Sequence, residues 1–97
     1  MDGMLDEAWA LSPSVALRPE PFGALAYHFG NRKLTFLKRP ELVAAVRALG
    51  EQPTVRAALQ AAGVAEQRHP AFVAALHELA AGDMIARRAD ATAPDHP

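Results

Sequence analysis

Gly23-Ala24-Leu25-Ala26-Tyr27-His28-Phe29-Gly30-Asn31-Arg32-Lys33-Leu34-Thr35-Phe36-Leu37-Lys38 is the stretch that decides the fold of this chain. Its first half alternates, with Leu25, Tyr27 and Phe29 on one face of a strand and Ala24, Ala26 and His28 on the other. Gly30-Asn31 suits a two-residue hairpin, because both residues tolerate positive φ. The returning strand runs from Arg32 to Lys38, with Leu34 and Phe36 on one face and Lys33, Thr35 and Leu37 on the other. Upstream, Leu11, Val15 and Leu17 are interrupted by Pro13, Pro19 and Pro21. Proline has no N–H to give to a ladder, so Trp9 to Phe22 is expected as one extended edge strand.

Downstream the period becomes helical. Pro40 suits a first helical position, and Leu42, Val43, Val46 and Leu49 form one stripe that ends at Gly50. Thr54 can cap a second helix with Val55, Ala58, Leu59 and Ala62 on its buried side and Gly63 as its stop. His69-Pro70 opens a third, in which Phe72, Val73, Leu76, Leu79 and Ala80 share a face and Gly82 closes the element. Met84 and Ile85 are expected to pack back beneath the helix end. The order is therefore a three-stranded antiparallel sheet followed by three helices, an α+β domain of winged-helix-like layout over residues 9–88. Residues 1–8 are expected to be a flexible start and 89–97 a disordered, Pro/Ala-rich tail.

Composition narrows the functions available. A chain of 97 residues, 51% apolar and 22% charged, fits one soluble domain with a modest core. It contains no cysteine, so disulfides, thiolate metal sites and cysteine nucleophiles are excluded and a reducing cytoplasm is the expected home. Asp2, Asp6 and Glu7 near the start do not read as a secretory signal, and no apolar run approaches the ~20 residues that span a bilayer. A formal net charge of −1 lacks the basic balance of a general nucleic-acid binder.

No catalytic or metal constellation can be named. His69 and His77 would stand ~12 Å apart along one helix, too far to share a metal ion. His77-Glu78-Leu79-Ala80-Ala81 starts like a zinc-protease helix but has Ala81 where the second histidine must be. Ser12 and Ser14 have no base at a motif spacing, and the glycines are scattered as punctuation with no phosphate loop among them. The chain is therefore expected to be no enzyme and to hold no metal or cofactor. DNA binding is the alternative that the layout suggests. Against it, the outward face of the third helix, Ala71, Ala74, Ala75, Glu78 and Ala81, offers no side chain for bases or phosphates. One charge asymmetry stands out: Arg32, Lys33, Lys38 and Arg39 bracket the last strand without an acidic residue among them. Such a cluster protects an edge strand from its own copies, and it can equally receive an acidic one.

The segment Val15-Ala16-Leu17-Arg18-Pro19-Glu20-Pro21-Phe22-Gly23-Ala24-Leu25-Ala26-Tyr27, with Arg32, Leu34, Phe36-Leu37 and Pro40-Glu41-Leu42, resembles the mycofactocin biosynthesis peptide chaperones. These are members of the precursor-peptide recognition element family that includes the pyrroloquinoline quinone peptide chaperone. The similarity spans about Trp9 to Arg87, and Arg18-Pro19-Glu20-Pro21-Phe22-Gly23 is its most specific part. The resemblance implies a non-catalytic escort that holds the leader of an acidic, ribosomally made precursor peptide and presents it to a radical S-adenosylmethionine maturation enzyme. It further implies that the leader adds as a strand along Lys33, Leu34, Thr35, Phe36 and Leu37. The groove beside it would be bordered by the third helix at Phe72, Val73, Leu76 and Leu79. Arg32, Lys38 and Arg39 are expected to steer the acidic peptide, with neither nucleic acid nor membrane as a partner.

Overall fold

The computed structural model describes residues 3–88, and the disorder expected for 89–97 lies outside that range. Proline makes the first division of the chain. Pro13 sits in a turn between Ser12 and Ser14, so the single edge strand expected from Trp9 to Phe22 is in fact two strands in different sheets, β1 (Trp9–Leu11) and β2 (Val15–Glu20). β2 pairs antiparallel with β3 (Gly23–His28), which pairs antiparallel with β4 (Leu34–Leu37), giving a three-stranded sheet of order β2-β3-β4. Pro19 is tolerated inside β2 because the alternation that follows from the Phe29 N–H bond to the Ser14 carbonyl makes Pro19 and Ala24 a non-bonded pair. The missing N–H thus faces the open edge. β1 is joined by β5 (Ile85–Arg87), an element that periodicity did not reveal, in a separate two-stranded ladder.

The β3–β4 hairpin forms where expected, but its turn is different. Gly30 and Asn31 do not adopt positive φ; Arg32 does, at 65°. The His28 ring explains the change, since its Nδ1 accepts the N–H groups of both Gly30 (2.9 Å) and Asn31 (3.1 Å) and winds them into a four-residue loop. The Arg32 N–H then closes onto the His28 carbonyl at 2.8 Å. Asn31 uses its side chain instead of its backbone freedom. Its Oδ1 accepts the Lys33 N–H, and its Nδ2 donates to the carbonyl of Gly82 at the end of the third helix.

The helices follow their stripes. α1 (Pro40–Ala48) starts on proline and ends in a 3₁₀ turn over Leu49–Glu51. α2 (Val55–Ala61) is capped by the Thr54 hydroxyl, which accepts the Ala57 N–H at 3.1 Å. α3 (His69–Ala81) ends on a left-handed residue that is Asp83 (φ 62°) and not Gly82, with the Met84 N–H bonded back to the Leu79 carbonyl at 2.8 Å. Met84 and Ile85 are buried as expected. Regular structure starts ahead of Trp9, in a 3₁₀ turn over Gly3–Asp6 that drives Met4 into the core, and the Val55 N–H bonds to the Glu7 carbonyl beside it.

α1 packs on one face of the three-stranded sheet, against β3 and β4, while α2 packs on α1 and α3 borders the β4 edge. Ala24 (0% exposed) and Ala26 (1%) are the residues of β3 turned inward, against α1. A methyl group there lets the helix approach closely, and the core is completed by Leu37, Leu42, Leu59, Phe72 and Leu76. Gly23 is held to a similar tolerance: at φ 149°, a Cβ on it would lie 1.9 Å from the Leu37 carbonyl oxygen. That close approach accounts for glycine at the end of the Pro-Glu-Pro-Phe-Gly run. Among the described residues no helix is long and apolar enough to cross a membrane.

Candidate functional site

Among the described residues β4 is an edge strand with only one side paired. Its register pairs Tyr27 with Leu34, Leu25 with Phe36, Ala26 with Thr35 and Ala24 with Leu37, and the His28 N–H bonds to the Lys33 carbonyl. Antiparallel bonding alternates, so Lys33, Thr35 and Leu37 give their backbone groups to β3. The N–H and C=O groups of Leu34 and Phe36 therefore point out of the sheet, along the open edge. These are two residues' worth of donors and acceptors in the geometry that a further strand would use.

Beside this edge runs a groove of about 180 Å³ lined by Thr35, Phe36 and Leu37 of β4, Leu42 of α1, and Ala75, Glu78 and Leu79 of α3. Helical spacing places Ala75, Glu78 and Leu79 along one side of α3, and small Ala75 opens the wall where a larger side chain would fill it. The groove brings together Thr35, Phe36, Leu37 and Leu79 of the residues singled out in the sequence. Phe72, Val73 and Leu76 do not line it: at 1%, 3% and 0% exposure they are core. Leu34 stands on the opposite face of the sheet from Thr35 and Leu37 and is 58% exposed. Nothing in the sequence marks Leu42, Ala75 and Glu78 as groove residues, because a stripe shows which residues share a helix face and not where that face leaves the core.

The basic cluster takes up four distinct positions. Arg32 is at the hairpin tip and Lys33 runs beside Gly82 at the end of α3. Lys38 borders a shallow apolar hollow with Phe22 and Phe36. Arg39 lies over the Phe72 ring, 5.3 Å from its centroid, and Arg68 covers the same ring at 5.2 Å while reaching Glu41. Arg39 therefore also ties the start of α1 to α3 by a cation–π contact. Glu78 is the one carboxylate among the described residues that line the groove, so an acidic side chain is favoured at the ends of β4, near Lys33 and Lys38, and disfavoured in the groove itself.

His69 is buried, with Nε2 3.2 Å from the Val64 carbonyl, which fixes the link into α3. No group of three or more His, Asp and Glu residues among the described ones could hold a metal ion.

The model of the Peptide chaperone MftB family matches residues 8–86. The chain belongs to that family. It is 51% identical over 80 residues to the peptide chaperone MftB of Mycobacterium ulcerans, an alignment covering 82% of this chain and 73% of that protein. It is 47% identical over 83 residues to the Mycobacterium tuberculosis protein of the same name, covering 86% of this chain and 76% of that one. No solved structure matches the chain. Family membership makes it a peptide chaperone of mycofactocin biosynthesis, not an enzyme. The matched segment runs from ahead of β1 into β5, so it contains both the open β4 edge and the α3 groove.

Proposed function

We propose that this chaperone binds the leader of an acidic precursor peptide by strand addition to β4 and presents it to a radical S-adenosylmethionine enzyme in the cytoplasm. The observation that carries this reading is an open edge backed by a groove on the same strand. Leu34 and Phe36 turn their backbone groups outward, and the groove opens between that edge and α3. An extended peptide would satisfy those groups, and every second side chain would enter the groove against Leu37, Leu42, Ala75 and Leu79. Hydrogen bonds to the edge supply affinity that is indifferent to sequence. The groove and its flanking charges supply selection, with aliphatic side chains inside and acidic ones toward Lys33 and Lys38.

Reading DNA through α3 gains nothing from the fold, since Ala71, Ala74, Glu78 and Ala81 are exposed on it with no cation among them. Amide chemical-shift mapping with a synthetic leader peptide tests the site. The reading expects the largest perturbations at residues 33–37 and along 75–79. Perturbations centred on α2, with β4 silent, would reject it.

A further inference from the structure

The three-stranded sheet has a second face, opposite α1, that no element among the described residues covers. In an antiparallel sheet the solvent face ordinarily alternates to polar residues. Here the outward positions of β3 and β4 are Leu25, Tyr27, Leu34 and Phe36. Phe22 stacks edge-on against Phe36 (centroids 5.6 Å apart), and Phe29 does the same against Tyr27 (5.1 Å). Phe22, Phe29, Leu34 and Phe36 are 45%, 63%, 58% and 57% exposed. At about 200 Å² per large side chain, these four alone leave on the order of 400 Å² of apolar surface in water.

We propose that this outer face is the docking surface for the enzyme that receives the peptide, and that the enzyme meets it with apolar side chains ringed by carboxylates. The inference rests on the strand-addition reading above. Charge selects the occupant: Lys38 borders the face beside Phe22 and Phe36, Arg32 stands at the adjoining hairpin tip, and Glu20, the one carboxylate among the described residues on this face, is neutralised by Arg18 at 2.9 Å, so the balance around the face is positive. A second copy of the chain would bring like charges together across a two-fold axis, whereas an acidic rim on another protein is attracted. Area makes the docking depend on loading. A standard interface takes about 800 Å² from each partner, roughly twice what the four exposed side chains offer. A leader added to β4 supplies the rest, because the peptide residues opposite Leu34 and Phe36 point to the outer face while their neighbours enter the groove. The enzyme would thus read a four-stranded surface that exists only when peptide is bound, and by linkage it would tighten the peptide in return.

The test is a double variant, Ala16→Glu with Leu25→Glu, placed on β2 and β3 so that the β4 edge is untouched. Affinity for the purified radical S-adenosylmethionine maturase of the pathway is measured by biolayer interferometry with and without precursor peptide. Peptide affinity is measured by calorimetry, and the thermal midpoint confirms folding. The expected result is peptide affinity within twofold of wild type, maturase affinity reduced at least tenfold, and wild-type maturase affinity that rises at least tenfold on loading. Unchanged maturase binding by the variant, or loss of that binding in Ala74→Arg on α3 instead, overturns the inference. So does a wild-type dimer in sedimentation that the variant dissolves. Failure of wild type to bind peptide, with maturase binding still lost in the variant, would refute the strand-addition reading and leave the docking face standing.

Discussion

Replacing Leu34 with proline isolates the backbone contribution of the β4 edge. Leu34 pairs with Tyr27 at a non-bonded position, so its N–H faces outward and β3 loses nothing when it is removed. Edge strands tolerate proline in this orientation, and an extended backbone already suits the ring. The peptide, however, loses one hydrogen bond, worth roughly 1 kcal/mol net, and one of its carbonyls is left facing carbon. The combined cost is roughly 1–3 kcal/mol, set by how much water reaches the site. At about 1.4 kcal/mol per decade, affinity should fall roughly 5- to 150-fold. Leu34→Ala is the reference, since it removes the same exposed side chain and keeps the N–H. Thr35→Pro is the counterpart, because Thr35 pairs with Ala26 through its backbone and should unfold the hairpin. Calorimetric titration with leader peptide and thermal melts by circular dichroism read the two effects separately. If Leu34→Pro bound peptide as tightly as Leu34→Ala, strand addition at this edge would be refuted.

Gly23→Ala should destabilise the fold by at least about 2 kcal/mol in urea titration, since the new methyl meets the Leu37 carbonyl at 1.9 Å in a backbone region that costs a side chain on the order of 1–3 kcal/mol. Leu76→Ala, at a site with 0% exposure, should cost roughly 2–5 kcal/mol and lower peptide binding only as far as the folded fraction falls. Lys33→Glu with Lys38→Glu should leave the thermal midpoint nearly unchanged and slow association with an acidic leader about tenfold at low salt in stopped flow. Raising the salt to 0.5 M should bring the variant and wild-type rates together, and equal rates at low salt would remove the steering role.

The alternation at 24–29 and 34–37 and the stripes of α1, α2 and α3 are written locally, in residues close enough along the chain to share one element. They determined the hairpin, the three helices and their order, and the edge position of the last strand followed from them. What alternation leaves open is which face turns inward. Leu25 and Tyr27 are the larger side chains, yet Ala24 and Ala26 are buried, because the space left by α1 admits only a methyl group. That preference belongs to the packed pair and not to the strand. The same holds for Arg32 and Asp83, which take left-handed conformations beside Gly30 and Gly82 once the His28 ring and the end of α3 have drawn in the neighbouring N–H groups. β5 meets β1 from the far end of the domain, and strands of three residues are too short to show a period. Leu42, Ala75 and Glu78 joined the groove for a related reason. A groove is the gap between elements, and its lining depends on where a helix axis comes to rest against a sheet, which the sum of all core contacts decides and no single stretch of sequence encodes.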